Sequence, residues 1–219
     1  MTKRASRAES AILERYRVAL QNVEAQSEIS TIMADFGYDA AMIEEGKQLF
    51  TKTREAYDLN VKEDDETSEA YSRFVVKRDQ LEDTYTLHRK KAKVVFRKNL
   101  EIIKRLELDD AIPRVYVKWL ETAKKFYTEM LTDTTLQEKI ARLKVTGENL
   151  SAANALINDL ETFRSEYLRE KGESQDATLQ KDDIFSELDD WMSEFYAVAR
   201  IALEDNIQLL EALGVIVRN

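Results

Sequence analysis

Cysteine is absent from the 219 residues, and histidine and proline occur once each. Without a thiol there is no disulfide framework, no thiolate metal site and no cysteine nucleophile. A single histidine excludes multi-histidine zinc sites and the paired Glu-x-x-His di-iron bundle. One proline and five glycines are too few to punctuate a many-stranded sheet. Nothing approaches the roughly 18 uninterrupted apolar residues of a membrane span. The opening MTKRASRAES has basic residues but no apolar run behind them, unlike a secretory signal. The sequence therefore reads as a soluble, cytoplasmic protein. It also lacks a phosphate-binding P-loop, a dinucleotide glycine fingerprint, a Gly-x-Ser-x-Gly elbow and a His-Glu-x-x-His pair. No catalytic residue, cofactor or resident metal is expected from it.

What the chain does have is helical patterning and charge. Hydrophobic residues make up 43% and charged residues 34%, enough for a core. The 33 basic against 42 acidic residues give a formal charge of -9, which disfavours nonspecific nucleic-acid binding.

Apolar residues recur at helical spacing along nearly the whole length. The pattern predicts a first helix from Ser6, with Glu9 completing a capping box, a kink near Ser27 and an end at Phe36–Gly37. Asp39 is positioned to cap the next helix. The acidic segment 61–67 reads as a loop, after which Thr67 opens a helix running through Leu106. A helix should start at Pro113 and break within 132–135, where Thr134 and Gln137 suit a new cap. Thr146 opens another, 170–178 reads as a loop, and Gly214 suits the end of the last helix.

Residues 107 positions apart resemble one another. Leu13 and Leu120, Leu49 and Leu156, Leu81 and Leu188, Ala92 and Ala199, Asn99 and Asn206, and Leu106 and Leu213 are identical pairs. The region 60–77 against 170–184 calls for a small shift. The expected fold is all-α. Two duplicated helical-bundle units, 1–111 and 112–219, would each hold about three long helices and be related by a pseudo-two-fold axis.

Polar residues inside this pattern are the candidate binding positions. On a helical wheel, Leu81, Tyr85, Ala92, Val95, Ile103 and Leu106 cluster near 280° when Arg89 is set at zero, at about 100° per residue. Asn99 falls in that stripe at about 280° and His88 at about 260°, so both should point inward. Asn206 matches Asn99 in the second half, where Phe195 replaces His88. An interior amide either satisfies a neighbouring backbone group or lines a polar pocket between the repeats. No acidic residue lies one turn from His88 on its stripe, so the sequence supports no catalytic dyad.

The run 88–98 holds six basic residues in eleven. Arg89, Lys90, Lys93, Arg97 and Lys104 share one wheel face. That face is either solvated, with Glu82 and Glu101 as local partners, or a patch for an anionic partner, or a surface pairing with acidic helices. The acidic clusters 62–67, 106–111 and 181–191 lack the EF-hand ligand pattern and suit helix starts. The leading functional expectation is a non-enzymatic structural or protein-interaction protein working through its helix faces, with a homodimer as one form. The alternative is a small-molecule-binding protein whose pocket is lined by Asn99, Asn206 and His88.

Overall fold

The structure, a computed structural model, describes residues 3–215, with side chains from residue 8 onward. Among the described residues it is all helix. The order is α1 (Lys3–Ala25), α2 (Ser27–Asp35), α3 (Ala40–Phe96), α4 (Leu100–Arg105), α5 (Tyr116–Thr132), α6 (Thr134–Ala141), α7 (Gly147–Ala202), a 3-10 turn (Glu204–Asn206) and α8 (Gln208–Ala212).

The chain divides into two compact units. Unit 1 runs to Asp65 and resumes at Gly172; unit 2 is Glu66–Lys171. These units do not coincide with the halves 1–111 and 112–219, because α3 and α7 each contribute to both.

In unit 1, α1 buries Leu13, Tyr16, Leu20 and Val23, a spacing of three, four and three that keeps one face inward. Ile29 and Met33 of α2 join them, with Phe185, Leu188, Met192, Phe195 and Ala199 from α7 and Leu210 and Leu213 at the end. In unit 2 the core is Phe74, Leu81, Tyr85, Ala92 and Phe96 of α3 with Trp119, Leu120, Phe126, Tyr127 and Met130 of α5. Leu136 and Ile140 of α6 and Leu150, Ile157 and Leu160 of α7 complete it. Each fully buried large side chain stabilises its unit by about 1.5–3 kcal/mol.

Several boundaries fall where the sequence places them. Gln26 separates α1 from α2, Asp39 Oδ1 accepts from the Ala41 and Met42 amides, and Gly37 closes α2 at φ +90°. Thr146 and Asn149 cap α7 reciprocally, and Gly214 ends α8 at φ +74°.

Other boundaries are corrections. Helix α1 begins at Lys3, before Ser6, and Glu9 pairs with Lys181 instead of closing a capping box. The Ser6 side chain lies outside the described residues. Helix α5 begins at Tyr116, past Pro113, and Asp133 rather than Thr134 caps α6, accepting from the Thr135 and Leu136 amides. Segments 61–67 and 170–178 are helical throughout, so neither is a loop and Thr67 opens nothing. Their polar side chains bind across to the neighbouring helix. In unit 1, Asn60 Nδ2 donates to Thr178 Oγ1 at 2.9 Å and Ser174 Oγ to Asp64 Oδ1 at 2.6 Å; in unit 2, Thr67 Oγ1 donates to the Glu170 carbonyl at 3.0 Å. The helix expected through Leu106 stops at Phe96, and the last one breaks after Ala202.

Candidate functional site

The basic run lies in unit 2, and the structure divides it: Lys90 and Lys93 are on the last turns of α3, Arg97 and Lys98 follow its end at Phe96, and Lys104 is on α4, so the five do not share the face of one helix. Lys90, Lys93, Arg97, Lys98 and Lys104 are exposed. Among the described residues none of these five makes an ion pair, and Glu82 and Glu101 do not reach them. Between the cations, Leu87 and Val94 stand half exposed one above the other, seven residues apart.

Arg89 is a correction to that face. It is 4% exposed, and its Nη2 donates to the carbonyls of Glu107 (2.5 Å) and Asp110 (2.7 Å). The guanidinium ties the 106–115 connection to α3. Glu107 takes a left-handed backbone there, φ 51°.

The two asparagines are also corrections, since neither points inward. Both are exposed. Asn99 sits at the break after α3 and caps α4, its Oδ1 accepting from the Ile102 amide at 3.1 Å. Asn206 ends the 3-10 turn. The wheel placed Asn99 inside only by extending α3 three residues beyond its end.

His88 is interior, as its wheel position predicts. It is buried and shares a 3.1 Å hydrogen bond between Nδ1 and Tyr127 Oη. Burial, then Lys91, holds its pKa below the usual histidine range. Burial also raises the Tyr127 phenol, with a further push from Tyr85. Both groups are therefore neutral near pH 7. Among the described residues no carboxylate bonds to His88, so the geometry matches a satisfied core histidine rather than an acid–base dyad.

This sets a pH dependence with a definite sign. The unfolded chain binds the His88 proton near pH 6.5 and the folded chain only at lower pH. The contribution is intact above that value and is lost as pH falls through it. Lowering the pH from about 7.5 to 5.5 is expected to reduce Tm, with unfolding taking up a fraction of a proton. H88F/Y127F should flatten that slope in a circular-dichroism melt, and an unchanged slope would refute the assignment.

Two features were missed by sequence reasoning. One is a fully buried cation, Lys181, whose Nζ meets Glu9 at 2.6 Å and Asp182 at 2.7 Å in unit 1. The other is a cavity of about 430 Å³ in unit 2 beside the start of α5, lined by Phe74, Arg78, Tyr116 and Trp119 among others. Nothing in the local sequence marks Tyr116 or Trp119 as part of a cavity wall. Among the described residues no helix is long and apolar enough to cross a membrane. No family model, no curated protein and no solved structure matches the chain.

Proposed function

We propose that the chain is a non-enzymatic interaction protein that docks an acidic protein surface on the exposed cations at the end of α3, in the break after it and on α4. One observation carries this reading: five exposed cations, Lys90, Lys93, Arg97, Lys98 and Lys104, make no ion pair among the described residues, in a chain of net charge -9. An unneutralised cluster raises the local potential and steers anionic partners. The half-exposed Leu87 and Val94 give a docked helix apolar contact within the same strip.

The proposal includes an internal duplication. Its support is that, apart from the starts of α1 and α5, boundaries recur at an offset of 106–108: α1, α2, α3 and α4 against α5, α6, α7 and α8. Among the described residues the four with positive φ fall in two pairs 107 positions apart, Gly37 with Lys144 and Glu107 with Gly214. Burial repeats as well, at Leu13 and Leu120, Ile29 and Leu136, Met33 and Ile140, and Ala70 and Ala177. The last pair needs no shift in register.

The duplication makes the basic face more telling. The positions matching Lys90, Lys93, Arg97 and Lys98 are Ala197, Arg200, Glu204 and Asp205. One repeat thus folds with a single cation among those four, so folding does not demand the other's charge.

The test is capture from lysate by the wild-type chain and by K90E/K93E/R97E. The variant should keep the wild-type Tm, because all three side chains are exposed, and lose the bound protein. Arg89 is left unchanged because it holds two carbonyls. Capture should weaken between about 0.1 and 0.5 M salt as screening shortens, and K52E on another helical stretch should leave it intact. Equal capture by the triple variant would remove the face from consideration. Capture of RNA in place of protein would replace the partner class.

A further inference from the structure

Two short stretches of this chain carry the same pattern with opposite charge. Residues 97–104 read RKNLEIIK and residues 204–211 read EDNIQLLE. Arg97 is matched by Glu204, Lys98 by Asp205 and Lys104 by Glu211. The asparagine and the aliphatic residue after it are kept, as Asn99–Leu100 and Asn206–Ile207. The local backbone is alike too. Each stretch follows the end of a long helix, α3 or α7, and leads into a short one, α4 or α8. A left-handed residue lies beyond each, Glu107 or Gly214.

Both stretches offer their charge outward. All six charged residues are exposed, and among the described residues none of them makes an ion pair. Glu101 is the one acidic residue in the first stretch, and the second holds no basic one. Leu100 is 74% exposed and Ile207 49%. Leu100 and Lys104 stand four positions apart, as do Ile207 and Glu211, so each apolar side chain lies beside a charge on one helical face. Each patch repels a copy of itself. The two fit one another, as strips of opposite sign with an aliphatic side chain in the middle of each.

Taking the exposed cations of unit 2 as a docking surface, we infer that the acidic surface they bind is stretch 204–211 of a second copy of this chain. Arg97, Lys98 and Lys104 of one copy face Glu204, Asp205 and Glu211 of the next, and Leu100 packs against Ile207. Such a contact joins two different surfaces of identical chains, so it is heterologous and repeats from copy to copy until it closes. A patch of three charges and one aliphatic side chain is small for a stable complex. The association is therefore weak and sensitive to salt.

Sedimentation velocity of the full chain tests this. At about 0.1 mM protein the wild type should associate in about 0.05 M salt and come apart in about 0.5 M. R97E/K98E/K104E makes both patches acidic, and E204K/D205K/E211K makes both basic. Each variant should keep the wild-type melt, because the replaced side chains are exposed. Each should self-associate at least about tenfold more weakly. Mixed in equal amounts, the two should associate again. Both remain net negative, so attraction between whole chains does not account for that recovery. L100S should weaken wild-type association by about threefold or more with no change of charge.

A wild type that stays monomeric in low salt overturns the inference. So does a mixture no more associated than its two components, or L100S association equal to wild type. E204K/D205K/E211K leaves the basic stretch whole, which separates this partner from the docking role itself. An acidic protein captured from lysate equally by that variant and by a monomeric wild type would keep the docking role and remove the second copy as its partner.

Discussion

Replacing Lys181 with methionine is expected to cost about 3 kcal/mol, which lowers Tm by on the order of 10 °C for a chain of this size. Lys181 is fully buried, and its ammonium meets Glu9 at 2.6 Å. Glu9 Oε2 is already sealed without a partner, so removing the cation strands the carboxylate. Burial alone would depress the Lys181 pKa, but hydrogen bonds to Asp182 and Glu9 outweigh it and hold the group above the usual lysine value. The pair's stabilisation is therefore complete below about pH 10.5 and is lost as pH rises through the raised value.

The proposed duplication suggests a sharper form of this experiment. The positions matching Glu9 and Lys181 in unit 2 are Tyr116 and Phe74, an aromatic edge-to-face pair at 5.7 Å. One contact is thus ionic in one unit and aromatic in the other. Well-packed apolar pairs often replace buried ion pairs without loss. E9Y/K181F should therefore return to within about 1 kcal/mol of wild type although K181M does not. Chemical denaturation of the three proteins decides this. A double variant as weak as K181M would mean the two places are not equivalent, and the repeat would lose its best structural support.

What the sequence could and could not reveal follows from the range of each interaction. Helix type and face are local properties. Leu13, Tyr16, Leu20 and Val23 appear as a stripe in the sequence and are buried in the structure. His88 was placed inward by the same reasoning and is inward. Arg89 was not, because its burial comes from the carbonyls of Glu107 and Asp110, brought back by a connection about twenty residues on. A wheel drawn on one helix holds no record of that return.

Segments 61–67 and 170–178 failed for another reason. Their composition is that of a solvated loop, yet Asn60, Asp64 and Thr67 lie at i, i+4 and i+7, as a helical face requires. The face is polar because its partners are polar: Thr178, Ser174 and the Glu170 carbonyl. Helical periodicity was present there, but in hydrogen-bonding residues rather than apolar ones. Asn99 shows the opposite error, a periodicity extended across a break. The cap at Asn99 and the left-handed Glu107 could be read as punctuation only once α3 was known to end at Phe96.

Gly46→Ala is the second large effect, and its sign runs against helix propensity. Alanine in a helix interior is favoured over glycine by about 1 kcal/mol. At position 46, however, a Cβ would lie 2.6 Å from Trp191 Cζ2 and 2.7 Å from Cζ3, far inside contact distance. The indole cannot retreat easily, because it stacks on Phe195 at 5.6 Å and meets the edge of Tyr38 at 5.5 Å. Overpacking of this kind costs about 1–3 kcal/mol or more, so a net loss near 2 kcal/mol is expected after the propensity gain. The positions 107 residues away carry Ala153 and Thr84, so in the sequence a larger residue in place of Gly46 goes with a smaller one in place of Trp191. That exchange of volume predicts a reversal. In a W191L background, where the ring no longer presses on the helix, G46A should become neutral or stabilising by up to about 1 kcal/mol. Denaturant midpoints of the four proteins give the coupling directly. A G46A penalty of the same size in both backgrounds would show that something other than the indole requires glycine there.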